Sequence, residues 1–290
     1  MYPSYERGIL SPVVVCMQHA YTPMFHADHF ARMPKYRKKH FTTNEGDRPL
    51  FVQFCANDPD VLLSAAKLVE DSCDAVAINL GCPQGIAKRG RYGAWLMDDL
   101  PLIRTLVVKL HENLSNPVTC KIRCFPNVED TLEYALMLQE AGCQLLTVHG
   151  RTRDIKGPRY APAQWDQIKA VKEALSIRVY ANGNVGCLED ANRCMEYTGC
   201  DGVMSAEGLL WNPALFDPTL EDPKKPDSAA LLLEYLDLAE KHNEPMSIVR
   251  SHVHRMMIDW FTAHPYLREI ALERNGKQNY RLQNTRRKCS

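Results

Sequence analysis

The chain has 290 residues, 45% of them hydrophobic, with 35 basic and 35 acidic residues in exact balance. That length holds one large α/β domain, or one domain and a small appendage, with enough apolar material for a sizeable core. It excludes a membrane protein, because no stretch approaches the roughly 20 apolar residues of a span, and the opening residues do not read as a secretory leader. The 11 cysteines, odd in number and without a Cys-x-x-Cys pair, read as reduced thiols. They place the expected protein in the cytoplasm or nucleus and give no zinc site.

Along the chain, short β-rich runs alternate with helical ones. A strand-like run, 12–17 (PVVVCM), comes first, and a basic cluster follows at Arg32 and 35–39. Residues 50–55 (LFVQFC) read as a strand, and the stretch 58–73 after it as a helix opened by Asn-Asp-Pro. The pattern repeats as strand 75–80 with helix 98–114, strand 118–122 with helix 129–141, and strand 145–148 with helix 163–175. Strand 178–181 precedes helix 188–197, and strand 202–205 leads into helix 206–215. Each helix must carry the chain back across the sheet, so the strands are parallel. Six such units favour a TIM-type (β/α)8 barrel over an open doubly wound sheet. No G-x-G-x-x-G follows any strand, so a Rossmann half is not supported.

The ends of these strands carry the chemistry. Gln53, Asn79, Lys121, His149, Asn182 and the pair Ala206-Glu207 all fall at or just past a strand's C-terminal end. In a βα barrel those ends meet on one rim, where active sites are built. Singly, Gln53 reads as a surface residue and His149 as a turn residue; in phase across six units they read as a site. A lysine just inside a strand end is costly unless it faces an anionic or polar ligand. The turns Asn182-Gly183-Asn184 and Glu207-Gly208 follow the last two strands, where barrels hold phosphate on backbone N–H groups. Cys82 sits on the Gly-Cys-Pro turn after strand 75–80, better placed for chemistry than Cys55, Cys120 or Cys143 inside apolar runs.

Beyond Pro213 the texture changes. Residues 217–227 (DPTLEDPKKPD) read as a linker, and 228–242, 246–264 and 265–275 as helices of a small appendage. From residue 246 to the end there are nine Lys/Arg against three Asp/Glu, with a basic tail at 277–290. The expected organisation is therefore a barrel over 1–216, the linker, a helical domain over 228–276 and the tail. Two basic regions beside a pocket-bearing domain suit a polyanionic partner.

Five motifs in order resemble the tRNA-dihydrouridine synthases: Asn79-Leu80-Gly81-Cys82-Pro83, Lys121-Ile122-Arg123, His149-Gly150-Arg151-Thr152, Ala181-Asn182-Gly183-Asn184 and Met204-Ser205-Ala206-Glu207-Gly208. The segments Gln53-Phe54-Cys55-Ala56-Asn57-Asp58 and Tyr21-Thr22-Pro23-Met24 look most like the eukaryotic tRNA-dihydrouridine(16/17) synthase branch, which acts on D-loop uridines. The resemblance implies a flavin-binding barrel with a helical tRNA-binding domain, FMN as cofactor, NADPH as reductant and tRNA as partner. It implies that Gln53 and Lys121 contact the flavin ring and that His149 helps hold the cofactor. Asn182, Gly183, Asn184, Ala206 and Glu207 would surround its phosphate, Asn79 and Arg123 would border the uracil, and Cys82 would donate the proton. In that chemistry hydride passes from flavin N5 to uracil C6, and the charge left on the base is quenched by a proton at C5. A thiol with a pKa of about 8.5 is mostly protonated near neutrality and donates readily. No metal is implied, and a monomer is expected.

The N-terminal part departs from the family's pattern. The family opens on a strand ending in Pro-Met, followed by a full helix. Here only Gln18 and His19 separate run 12–17 from Ala20, whereas a parallel crossover needs at least roughly 10 residues. The first βα unit is therefore expected to be missing or remodelled, with flavin affinity lowered. Two other readings stand beside the enzyme: a catalytically impaired tRNA-binding paralogue or isoform with an incomplete barrel, and a flavin barrel reducing a free pyrimidine, like the dihydroorotate dehydrogenases. A small substrate needs neither the helical appendage nor the basic tail.

Overall fold

The computed structural model describes residues 19–155, 161–220, 222, 224 and 226–266. Its frame is one all-parallel sheet. Strands β1 (Ala20–Tyr21) and β2 (Phe25–His26) both pair with β3 (Leu50–Cys55), and β4 (Ala75–Asn79), β5 (Val118–Cys124), β6 (Leu145–Thr152), β7 (Arg178–Asn182) and β8 (Gly202–Met204) follow in chain order. β1 and β2 are two pieces of one strand. Tyr21 pairs with Phe51 and Phe25 with Phe54, so the first chain advances four residues while β3 advances three. The extra residue falls around Pro23, which has no N–H to give to a ladder.

Alternation along the strands sorts side chains into two layers. Val52, Phe54, Val76, Ile78, Cys120, Ile122, Leu146, Val148, Val179 and Ala181 are buried in the main core together with residues of the helix layer. In the opposite phase Phe51, Ala75, Leu145 and Tyr180 form a second cluster with Tyr21. The His19 ring lies 5.3 Å from Phe51 on β3 and 5.9 Å from Tyr180 on β7. In a flat sheet, four strand spacings of about 4.8 Å would hold those strands far apart. The sheet is therefore curled, and this second layer is its concave interior.

The curl yields seven strand positions of an eight-fold barrel. Among the described residues β8 and β1 are the two ends of the sheet, and no strand bridges them. The run 12–17 expected as an irregular first strand lies outside the described residues.

The return helices are α3 (Pro59–Lys67), α5 (Leu100–Asn113), α6 (Val128–Glu140), α7 (Trp165–Ala174) and α8 (Leu188–Thr198). All lie close to the expected bounds except α3, which ends six residues before the expected 73 and is followed by a separate short turn of helix at Glu70–Ser72. Asp58, Asp99 and Asn127 cap three of them by accepting N–H bonds from the first turn. The helix after β8, α9 (Glu207–Trp211), is much shorter than the expected 206–215. Three helices were not anticipated: α1 (Ala27–Arg32), α2 (Pro34–His40) and α4 (Gly85–Gly90).

The expected linker 217–227 carries no helix or strand among its described residues. After it, α10 (Ser228–Lys241) and α11 (Met246–Met256) share their own small core of Tyr235, Ala239, Val249 and Met256, and α12 (Ile258–Ala263) follows. The single helix expected over 246–264 is thus two, broken at Met257. Beyond Tyr266, the helix expected to 275 and the basic tail at 277–290 lie outside the described residues.

Candidate active site

The interior phase that holds Phe51, Ala75, Leu145 and Tyr180 lower down holds Gln53, Asn79, Lys121, His149 and Asn182 toward the strand ends. Ladder register fixes their order: Asn79 pairs with Lys121, Arg123 with His149, and His149 with Asn182. The sequence-predicted side chains therefore meet on one rim.

Asn79 organises the loop that carries Cys82. Its Oδ1 accepts from the backbone N–H of Gly81 (3.1 Å) and Cys82 (2.9 Å), and its Nδ2 donates to Gln53 Oε1. Gln53 is tied back to the β1–β2 break: its backbone N–H donates to Thr22 Oγ1 at 2.9 Å and its Nε2 to Thr22 O at 3.2 Å. On the other side, Gly93 has φ +64°, and a Cβ there would lie 2.8 Å from Cys82 O and 3.0 Å from Cys82 Cβ. Only glycine lets that turn close on the cysteine. Cys82 is partly exposed, whereas the other eight described free cysteines are buried. Burial pushes the neighbouring Cys55 thiol up to about 12, so it is chemically quiet.

Lys121 stands in the middle of the rim. Its Nζ donates to Asn182 Oδ1 at 2.7 Å, and Asn182 Nδ2 donates to the Met204 carbonyl at 2.8 Å. Burial, and then the positive charge of Arg123, push the lysine down to about 7, while Cys82 acts in the opposite sense. The thiol is therefore within electrostatic reach of the ammonium.

Arg123, expected to border the substrate, is 6% exposed and lies behind the cysteine loop. Its Nε donates to Gly81 O at 2.8 Å, and its Nη1 to Thr152 O (2.8 Å) and Ile155 O (2.9 Å). These bonds make it a clamp between the loop and the end of β6.

The third part surrounds His149. Burial, followed by the charges of Lys121, Arg123 and Arg151, holds the imidazole far below its ordinary value, so it is neutral at all ordinary pH. Arg151 Nη1 lies 2.8 Å from His149 Nε2, which fixes that nitrogen as the acceptor. The same guanidinium donates through Nη2 to Asn184 Oδ1 (2.8 Å) and through Nε to Ala161 O (2.8 Å). Asn184, at φ +60°, also accepts from Ala163 N. Gly183 has φ +115°, and a Cβ there would sit 2.8 Å from Ala163 Cβ and 3.2 Å from His149 Cδ2. Ala206 and Glu207 are exposed at the start of α9, and the Glu207 carboxylate is near enough to favour the charge on Arg151. Sequence reasoning missed Arg151, although it lies in the motif that carries His149 and is 3% exposed.

The assembled site is a cationic, largely desolvated mouth. Lys121, Arg123 and Arg151 surround a neutral imidazole, and a partly exposed thiol stands at the edge. Charge of one sign in such a pocket favours an anionic guest.

Comparison with known proteins fits that chemistry. The family described as Dihydrouridine synthase (Dus) matches residues 15–288. A Rattus norvegicus protein named tRNA-dihydrouridine(16/17) synthase-like, with NAD(P)(+) in its name, is 52% identical over 87% of this chain and 57% of its own length. The Saccharomyces cerevisiae tRNA-dihydrouridine(16/17) synthase is 45% identical over 90% of this chain and 64% of its own. A Homo sapiens tRNA-dihydrouridine(20a/20b) synthase-like protein is 38% identical over 82% of this chain and 73% of its own. The chain thus spans under two thirds of the rat and yeast proteins it matches.

Proposed function

Because the chain belongs to the dihydrouridine synthase family, we propose that it reduces the C5=C6 bond of D-loop uridines in tRNA, with FMN as cofactor and NADPH as reductant. The observation that carries this reading is the half-buried Lys121, bonded to Asn182 on the same rim as the Asn79 side chain that holds the Cys82 loop. A half-buried ammonium with one amide partner is poorly compensated until an anionic or electron-rich ring faces it.

The residues present fit flavin mononucleotide. Lys121, with Gln53 held by Thr22 and Asn79, offers polar contact to an isoalloxazine edge. Gly183 lets its turn close on Ala163 and His149, and Arg151 with the Asn184 turn supplies cationic and backbone donors for a phosphate. Ala206 and Glu207 border the same spot. When bound there, the cofactor supplies hydride to uracil C6.

The chain's own residues do the rest. Asn79 holds the cysteine loop by two N–H bonds, and Arg123 braces it from behind. Cys82 Sγ–H delivers the proton to C5, and the resulting thiolate is stabilised by the Lys121 charge. Neutral His149 accepts from Arg151 and helps hold that guanidinium against the Asn184 turn. A D-loop base reaches the mouth by leaving its stack, at less cost than a paired one.

We assign the helical part from α10 onward to tRNA contact and read the protein as a cytoplasmic or nuclear monomer. A second reading, a tRNA-binding protein impaired in catalysis, is favoured by one observation: no described strand closes the sheet between β8 and β1. Incubating unmodified tRNA with the chain, FMN and NADPH separates them. D-loop uridine gaining two hydrogens supports the enzyme, and salt-sensitive tRNA binding without that gain supports the second reading.

A further inference from the structure

We propose that Lys88, Trp95 and Arg153, with Arg91 beside them, form a phosphate grip that holds the tRNA backbone next to the target uridine. The inference rests on the tRNA reading above and assigns it a surface. Trp95 packs with Met24 and Cys82 on the cluster of Cys55, Ala87 and Tyr92, so its indole is anchored at the cysteine loop. Two cations lie over that ring: Lys88 Nζ is 4.7 Å from its centroid and the Arg153 guanidinium carbon 5.1 Å. They come from different elements, Lys88 from α4 just after Cys82 and Arg153 from the turn after β6. Only the fold brings them together. Indole faces attract such groups and hold long side chains that would otherwise sample many rotamers, so less freedom is lost when a phosphate arrives.

The cluster is open to a partner. Arg91 and Trp95 line a cavity of about 410 Å³ that Asn57 and Leu102 also border, so these side chains face space rather than packed protein. Lys88, Arg89 and Arg91 are exposed. Against the four basic side chains Lys88, Arg89, Arg91 and Arg153 stand Asp98 and Asp99, which border the same cavity, and Asp154, which acts on Arg153, so the balance is positive by one charge. Asp98 is engaged by Arg153 Nη1 at 2.6 Å, and Asp99 accepts from Leu102 N as the cap of α5. Among the described residues Lys88 has no ion pair. A cationic rim anchored to the proton-donating loop suits a polyanion that must present one base to Cys82, and an RNA backbone has that chemistry. The ordinary alternative is a solvated basic face with no partner.

The test is the salt dependence of tRNA binding by the full chain, with Lys88→Gln, Arg153→Gln and the double variant. Each lost phosphate contact lowers the slope of log K against log salt by about one, so the double variant loses about two, and each single variant binds several-fold more weakly at moderate salt. KM for tRNA should rise with kcat unchanged. Trp95→Leu should weaken binding while leaving the slope near wild type, because both charges remain but are no longer held; Trp95→Phe should restore affinity. If Trp95→Leu misfolds by circular dichroism, the charge variants still decide. An unchanged slope in the double variant, with wild type binding tRNA, overturns the grip alone. An equal loss toward heparin overturns it as well, by marking an unspecific basic face. If wild type shows no salt-sensitive tRNA binding, the functional reading falls first and the grip with it.

Discussion

Lys121 gives the sharpest physical prediction, because its burial ties stability to pH. Its folded value of about 7 against 10.5 for the free side chain corresponds to a ceiling of about 5 kcal/mol against the charged form in the unliganded protein. The unfolded chain keeps that proton to about pH 10.5, whereas the folded chain releases it near 7. Between those values the unfolded state binds more protons, so stability is depressed below pH 7 and recovers as pH rises, by up to about 1.4 kcal/mol per pH unit. Lys121→Met removes the burden but leaves Asn182 Oδ1 without its 2.7 Å donor, a loss of about 1–3 kcal/mol. The variant should therefore be about 2–4 kcal/mol more stable than wild type at pH 6 and about 0–2 kcal/mol less stable at pH 10. Urea unfolding followed by circular dichroism at pH 6, 8 and 10 measures the crossing. Parallel pH profiles for the two proteins would refute the account of Lys121. With FMN bound, the low-pH advantage of the variant should shrink, because the ligand's charge compensates the lysine.

Other outcomes follow from neighbouring residues. Arg151→Met strips donors from His149, Asn184 and Ala161 at once and should cost about 3 kcal/mol of stability together with most FMN retention, read by unfolding and by flavin absorbance after gel filtration. Gly183→Ala puts a Cβ 2.8 Å from Ala163 Cβ at φ +115° and should cost about 2–3 kcal/mol; wild-type stability and FMN retention would contradict the cradle. Supplying a complete first βα unit should tighten FMN binding, since the described sheet has open ends at β8 and β1; equal, tight retention by both proteins would show that the seam does not matter.

Much of this was legible because the relevant signals are periodic. Alternation with period two places Gln53, Asn79, Lys121, His149 and Asn182 in one phase, and parallel connectivity then brings the strand ends together whatever the loops do. Arg151 was not legible in that way. β6 is irregular there, since Arg123 pairs with His149 but Cys124 with Thr152, and the partners Ala161 and Asn184 arrive from separate loops. Helix α2 escaped notice because it buries none of its residues, and α1 and α4, at six residues each, are too short to show an apolar repeat. The break at Met257 falls inside a continuous apolar pattern that one helix would satisfy equally well. The Trp95 cluster depends on Lys88 and Arg153 meeting across the rim, which no local spacing encodes.

The central claim is that a thiol at the mouth of the barrel delivers a proton to a base reduced within it. The most direct measurement is the rate of dihydrouridine formation in D-loop tRNA by the FMN-loaded chain, with Cys82→Ala compared against wild type at equal flavin content. The account predicts a loss of about two to four orders of magnitude in the variant, the usual worth of a positioned acid. Turnover at the wild-type rate without the Cys82 thiol would contradict it.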